Sequence, residues 1–587
     1  MHLNKSLLIS FFIASAIASC KSPEIEKKDT LFEKIDSSVS GVTFRNDLPF
    51  DEKFNIFTYR NFYNGGGVAM GDVNNDGLID LYLTSNLGEN KLYLNEGNFK
   101  FKDVTATAGV AGTRAWSTGV AMADVYGDVF LDIYVCNSGD IAGDNKQNEL
   151  FINNGDGTFA EKAEAYGLAD QGFSTHAVFF DYDNDGDLDV YLLNNSYQSI
   201  GSFNKMQNER PKRDPVGGDK LFRNDGEIFS DVSVPAGIYG SVIGFGLGIT
   251  IGDVNQDGWM DIFISNDFFE RDYLYINNQD GTFTESLTSY MRAISAASMG
   301  ADIADINNDG HLDIFVTEML PENTERLKQI TTFESYDKFQ FNVQHDYHYQ
   351  YTRNMFHINN GDGSFSDMGR LANVEATDWS WAALMFDMDN DGLKDIFVAN
   401  GIYKDLTDLD YLNFIDNDET KQKIISKTGV DYKALVDPMP INPVSNYAFR
   451  NKGDLVFENV IHEWGMGDPI HSNGSAYGDL DNDGAMDLVI NNVNNEVLIY
   501  KNRSKELAPE NHFLKIQLLG KEKNTAAIGT QVRLVSGDQI FYQEQMPNRG
   551  FQSSVDPRLN FGLGSKTKLD QVQVRWPDGK ITLLRDI

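Results

Sequence analysis

The chain has 587 residues, with 87 acidic side chains against 49 lysines and arginines and a formal net charge of −38. A hydrophobic content of 41%, with 12% aromatics, excludes a disordered acidic tail, because such a chain can bury a core. The charge excludes nucleic acid as a partner, since phosphates need basic patches, and two cysteines exclude a disulfide scaffold or a cysteine zinc site.

The N-terminus comes first. Residues 1–19 carry Lys5 and then an apolar run from Leu7 to Ile17, the pattern of a signal peptide and too short to span a bilayer. The run ends Ile-Ala-Ser-Cys, which resembles a bacterial lipobox with Cys20 as the lipidated residue; an ordinary signal peptide with a chance cysteine is the alternative. Residues 20–30 read as a polar tether. The resemblance implies a protein anchored to a membrane by acyl chains, on the cell-surface or periplasmic face of a bacterial outer membrane. Cys136, inside the apolar run LDIYVC, is expected to be a buried thiol.

From residue 31 onward an internal repeat dominates. The pattern D-x-[DN]-x-D-G-x-x-D starts at residues 72, 181, 253, 305, 387 and 479, and a damaged copy, DVYGDVFLD, starts at 124. A small apolar segment precedes each copy. A β-type run follows it (LYLTSN, VYLLNN, IFISND), then an aromatic run into a polar turn (KLYLNEGNF, ELFINNGDGTF, YLYINNQDGTF), then a short closing strand. Four short strands repeated seven times predict an all-β, seven-bladed propeller over residues 31–505. The last unit lacks its fourth strand, and an orphan strand of that type, LFEKIDSSVSGVTF, lies at 31–44. The N-terminal strand is therefore expected to complete the last blade; an open solenoid with a capping strand is the alternative.

The repeat also carries the chemistry. Oxygen ligands at positions 1, 3, 5 and 9, with a carbonyl at position 7, suit a hard cation of flexible coordination, Ca²⁺, and Gly at position 6 permits the turn around it. The candidate ligands are Asp72, Asn74, Asp76 and Asp80; Asp181, Asp183, Asp185 and Asp189; and Asp253, Asn255, Asp257 and Asp261. The later loops supply Asp305, Asn307, Asp309 and Asp313; Asp387, Asp389, Asp391 and Asp395; and Asp479, Asp481, Asp483 and Asp487. Carboxylates packed this closely repel unless a cation sits among them. An Asx-rich turn would explain one copy but not six at identical spacing. An EF-hand needs a glutamate at position 12, where these loops have Leu83, Leu192, Ile264, Val316, Val398 and Ile490. In the damaged copy Tyr126 replaces a ligand and Val129 the glycine, so that blade is expected to bind weakly or not at all. About six Ca²⁺ sites are expected.

These units resemble the FG-GAP/VCBS repeats of integrin α-subunit propellers and their bacterial relatives, in which the loop calcium is structural. Residues 511–587 change character. Their G-T-x-V-R segment, Phe561 to Gly564 and V-x-W-P-D-G at Val574 to Gly579 resemble the ASPIC/UnbV domain, a small β-sandwich-like module that usually runs on for another strand.

Strand alternation places the calcium loops on one face. It places the long insertions at 196–219, 318–353 and 401–446 on the other, and one-sided insertions mark the working surface of a repeat protein. That face is expected to carry Tyr63, Trp116, His176, Trp379, Trp381 and His471, together with an aromatic insertion containing Tyr336, Phe339, Tyr347, Tyr349 and Tyr351. Such side chains suit sugar rings or protein partners, or else pack the loops onto the blades. No nucleophile-elbow, Walker or zincin signature is present. His345, Asp346 and His348 read as a polar loop rather than a metal cluster. The leading reading is a binding or adhesion protein for a glycan or protein ligand. The alternatives are a lyase-like polysaccharide enzyme drawing on Arg210, Lys212, Arg213, Arg353 or Lys404, and a scaffold in an outer-membrane assembly.

Overall fold

The computed structural model describes residues 29–139, 146–198, 205–226, 228–330, 335–426 and 429–587. The signal-peptide and Cys20 readings lie outside them.

Seven antiparallel sheets follow one another along the chain. Blade one is built from strands Val68–Gly71, Asp80–Leu83, Lys91–Asn95 and Phe101–Asp103. Blade four repeats the plan with Gly246–Gly252, Asp261–Asn266, Tyr273–Asn277 and Phe283–Glu285. In blade seven Ser472–Gly478, Asp487–Asn492 and Leu498–Asn502 are joined by the N-terminal strand Phe32–Lys34, with Phe32 opposite Asn502. The orphan strand closes the ring as the repeat arithmetic requires.

The first two strands of most blades are buried along their whole length, because each blade is covered on both faces by its neighbours. Close blade contact explains the small residues of the innermost strands. A Cβ on Gly119 would stand 2.4 Å from the Thr175 carbonyl oxygen, and one on Gly248 would stand 2.5 Å from that of Met299. The outer strands are only three residues long, and each is followed by a tight helical turn such as Ala163–Tyr166, ended by Gly167 in the left-handed conformation.

Blades are latched by one asparagine at the end of each third strand. Its side-chain Nδ2 donates to the second residue of the preceding blade's aspartate loop: Asn153 to Val73 O (2.8 Å), Asn277 to Tyr182 O (2.8 Å), Asn359 to Val254 O (2.9 Å), Asn451 to Ile306 O (3.0 Å) and Asn502 to Met388 O (2.7 Å). Asn95 reaches Leu480 O (2.8 Å) and so joins blade one to blade seven. Asn224 reaches only Leu188 O of its own blade, at the seam that follows the damaged loop.

The insertions on the opposite face contain helices. Tyr336–Gln344 is capped by Ser335, Leu409–Ile415 by Asp408 and Tyr432–Val436 by Asp431, each side chain accepting a backbone N–H of the first turn. None of the described helices is long and apolar enough to cross a membrane.

The C-terminal domain pairs a sheet of Gln539–Glu544, Gln531–Ser536, Gln571–Arg575 and Ile581–Arg585 with a two-stranded sheet of His512–Ile516 and Leu559–Gly564. Their common core includes Val532, Leu534, Phe541, Phe561 and Val572. It does not stand apart from the propeller. Its segment 548–554 runs into the axis of the ring, where Ser554 pairs with Ala69 and extends the sheet of blade one. There the Gln552 carbonyl accepts from Val120 N–H (3.1 Å) and Phe551 packs at a tilt against Trp381 (5.1 Å). Arg549 donates to Asp302 (3.0 Å) and to Ile303 O (2.6 Å).

Replacing Asn359 by Ala removes a buried amide and leaves two carbonyls of different blades without a donor. The cost should be about 2–4 kcal/mol in denaturant unfolding, against under about 0.5 kcal/mol for Asn360→Ala on the exposed turn.

Candidate metal centres

Each nine-residue loop leads from the first strand of a blade into its second. The position-1 carboxylate draws the loop around itself: Asp253 accepts Asp257 N–H (3.0 Å) and Gly258 N–H (2.7 Å), and Asp305 accepts Asp309 N–H (3.1 Å) and Gly310 N–H (3.0 Å). The chain turns back through left-handed residues at positions 4 and 6, such as Asn308 (φ 58°) and Gly310 (φ 90°). The damaged loop keeps this path with Gly127 at position 4, and Val129 is forced to φ 77°, a conformation a β-branched residue resists.

The position-9 carboxylate is buried and doubly held. Asp80 accepts Val73 N–H (3.0 Å) and Asn95 N–H (2.8 Å), and Asp313 accepts Ile306 N–H (3.0 Å) and Asn359 N–H (2.8 Å). The same pair of bonds recurs at Asp132, Asp189, Asp261, Asp395 and Asp487.

Three loops gather carboxylates closely enough to share one ion. Ligand oxygens of Asp181, Asp183 and Asp189 lie within 4.8 Å of one another, as do those of Asp387, Asp389 and Asp395, and those of Asp479, Asp481 and Asp483. One oxygen each of Asp183 and Asp481 is buried and has no hydrogen-bond partner. Burial pushes Asp80 and Asp181 up to about 7, and Asp305 and Asp389 up to about 6. Asp189, Asp261, Asp313, Asp387, Asp395 and Asp487 are raised well above the carboxylate range, again chiefly by burial. An all-oxygen set of buried, mutually repelling carboxylates with unpartnered oxygens fits a hard divalent cation.

Neighbouring cations already approach several loops. Arg450 pairs with Asp389 (2.6 Å) and Asp391 (3.2 Å), Lys501 with Asp481 (2.5 Å), and Lys515 of the C-terminal domain with Asp479. The Thr525 hydroxyl donates to Asp124 in the damaged loop (2.5 Å), and Gln531 Nε2 donates to Asp253 (2.7 Å). The sequence reading missed these C-terminal contacts, and no local signal announces them. It also missed the six latch asparagines, although each stands at the same place in its repeat.

The opposite face differs from expectation. Tyr63, Trp116, His176, Trp381 and His471 are buried and Trp379 is half-buried, so none of the six is an open ligand surface. The segment leading into blade one covers this end of the axis. Phe54 packs edge-on to Trp116 (4.8 Å), Tyr59 stacks on Tyr197 (5.6 Å), and Tyr63 meets Tyr403 (5.9 Å), which meets His471 (5.2 Å). Burial lowers the pKa of His176 to about 3 and that of His471 to about 4. Cys136 is a buried thiol, as expected.

His345 is bonded to Phe341 O (2.8 Å) and His348 to Met291 O (2.9 Å), while Asp346 pairs with Arg210 (2.7 Å); these residues form structural contacts and no metal cluster. Arg210 also pairs with Glu270, Arg353 with Asp367 (2.6 Å), and Lys404 donates to Met439 O (3.1 Å). The Arg213 guanidinium donates to Asp219 O (2.9 Å).

The blade-five insertion does leave an opening. A groove of about 400 Å³ is lined by Tyr336, Phe339 and Tyr351 together with Ser335, Asn342 and Gln350. Phe339 packs against Tyr349 (5.9 Å) and Tyr351 (5.7 Å), and Tyr336 is 75% exposed.

Seven ringed sheets with aspartate loops define a repeat-built β-propeller. Residues 53–135, 139–192, 253–316 and 347–398 match the FG-GAP-like repeat family, and residues 520–587 match the ASPIC and UnbV family. The chain is therefore an FG-GAP-like repeat protein with a C-terminal ASPIC and UnbV domain. It is 30% identical over 217 residues to cartilage acidic protein 1 of Xenopus tropicalis, covering 35% of this chain and 29% of that protein. To cartilage acidic protein 1 of Homo sapiens it is 22% identical over 566 residues, covering 88% of this chain and 69% of that protein. The matched stretch thus spans under a third of the frog protein. A solved structure of an Agrocybe aegerita lectin that recognises non-reducing terminal N-acetylglucosamine aligns with a TM-score of 0.35 at 15% identity, over 70% of this chain and 86% of the lectin.

Raised carboxylate pKa values mean that the cation-free fold favours the protonated forms, so that ionisation up to about pH 7 weakens it as pH rises. A bound dication removes that cost. The gain in Tm from saturating Ca²⁺ over metal-stripped protein should therefore be larger at pH 7.5 than at pH 5.5; an equal gain would show that these carboxylates do not hold the ion.

Proposed function

We propose that the chain is a calcium-stabilised, lipid-anchored extracytoplasmic binding protein that takes a glycan on the blade-five insertion. In this reading Ca²⁺ is bound by the oxygen ligands of the six intact loops, Asp72 to Asp80, Asp181 to Asp189, Asp253 to Asp261, Asp305 to Asp313, Asp387 to Asp395 and Asp479 to Asp487. The ion supplies structural charge compensation and no chemistry on a substrate. The damaged loop, with Tyr126 and Val129, stays empty or binds weakly.

The observation that carries the ligand reading is the open groove. Tyr336 presents an exposed aromatic ring, Phe339 and Tyr351 line the groove beside it, and so do Asn342 and Gln350, whose amides are bonded to each other. Stacking on flat aromatic rings flanked by polar side chains suits pyranose rings. The calcium face supports the same choice, because the C-terminal domain lies across it.

Tyr336→Ala should weaken binding to the best ligand of an immobilised polysaccharide panel by at least about tenfold while leaving Tm unchanged, since the ring is exposed. Unaltered glycan binding would move the ligand elsewhere, and capture of protein alone would favour a protein ligand. The anchor is tested separately. Cys20→Ala should abolish metabolic labelling by a fatty acid and move the protein from the membrane to the soluble fraction; retention in the membrane would overturn the lipid anchor.

A further inference from the structure

Three residues of the C-terminal domain form one row across its sheet. Gln531, on the middle strand, lies opposite Glu544 on one side and Arg575 on the other. The whole row rests on the blade-four aspartate loop. Glu544 Oε2 accepts Asp253 N–H (3.1 Å), Arg575 Nη2 donates to Asp257 O (3.0 Å), and Gln531 Nε2 donates to Asp253 Oδ2 (2.7 Å). Asp253 is fully buried and Gln531 is 9% exposed, so this amide is committed to the loop. Its Oε1 has no hydrogen-bond partner among the described residues.

A side-chain amide has two ends of nearly equal shape, and the partner decides which one faces it. Against a bare carboxylate the NH₂ end turns inward. With a dication at the position-1 carboxylate, the same half-turn of the amide presents the oxygen, a ligand type calcium accepts. The blade-four loop also carries one carboxylate fewer than the loops of blades three, six and seven, since Asn255 stands where they have an aspartate.

We propose that Gln531 is a ligand of the blade-four cation site, supplied across the domain boundary, so that cation binding locks the C-terminal domain onto the propeller. The proposal rests on the reading that the loops hold a divalent cation. It extends that reading from stabilising single blades to joining two modules. The lock lies at the base of the segment 548–554 that fills the ring axis, because Glu544 and that segment belong to one continuous stretch of chain.

The loop contains its own reporter. Trp259 is at position 7, beside the site, and sensitises terbium emission there, with Trp259→Phe defining the background. Terbium titration of the full chain should give a midpoint about tenfold higher for Gln531→Leu than for the parent. Hydrogen exchange of strand Gln531–Ser536 should slow on adding Ca²⁺ to the parent protein. If the amide only satisfies an empty carboxylate, it competes with the ion, and Gln531→Leu would bind terbium equally or more tightly; that result overturns the proposal. Should the variant not fold, exchange in the parent decides, and a strand indifferent to Ca²⁺ overturns it. Absence of Trp259-sensitised emission in the parent would instead refute the cation reading of this loop.

Discussion

The molecule depends on a buried carboxylate at the mouth of every second strand. Its two oxygens accept one N–H from the start of the aspartate loop and one from the end of the third strand, as at Asp313 with Ile306 and Asn359. These bonds hold loop, second strand and third strand in one register. The asparagine that supplies the second N–H then reaches into the preceding blade with its side chain, as Asn359 does to Val254. A local hydrogen-bond pair thus sets the blade-to-blade spacing, and seven copies close a ring. A buried carboxylate in so apolar a place is costly unless it is hydrogen-bonded and near a cation. The other acidic positions of each loop add like charge beside it and raise that cost further, as Asp72 and Asp76 do at Asp80.

The damaged second blade shows which parts of the device are separable. Asp132 keeps both of its backbone bonds, so the blade folds like the others. The ligand positions are degraded, Val129 is held in a left-handed conformation, and Thr525 of the C-terminal domain places a hydroxyl on Asp124. At the next seam Asn224 lacks the cross-blade bond. Folding of a blade and completeness of its aspartate loop are therefore distinct properties.

Covering one face of the ring redistributes function. The C-terminal domain meets aspartate loops of blades two, four and seven, and it threads Phe551 and Gln552 into the axis. At the opposite end, Phe54, Tyr59 and Tyr63 close the axis with aromatic packing. Among the helical insertions, that of blade five leaves a groove. The acidic surplus also acquires a place, since the six intact loops put 21 aspartates at ligand positions. Six dications would bring the net charge from −38 to about −26.

How far the sequence could be read follows from the range of each interaction. The aspartate loops, the strand order, the closing N-terminal strand and the buried Cys136 were all legible, because spacing within a repeat expresses local hydrogen bonding and strand alternation. The latch asparagines were visible in every copy, yet their role needs the neighbouring blade. The fate of Tyr63, Trp116, His176, Trp381 and His471 was not legible. An aromatic side chain in a loop is equally suited to solvent, ligand or core; here the segment before blade one packs around Trp116, and the C-terminal segment in the ring axis meets Trp381 and His176. Nor could the sequence show that Gln531 meets Asp253 or that Ser553 meets Val68, pairs separated by 278 and 485 residues. The sequence by itself determined the repeating unit, its acidic loops and the closed ring, because those depend on neighbours a few residues apart. Only the tertiary structure decided which face is covered, what fills the axis and where a ligand has room, because those depend on surfaces that meet only after the ring has closed.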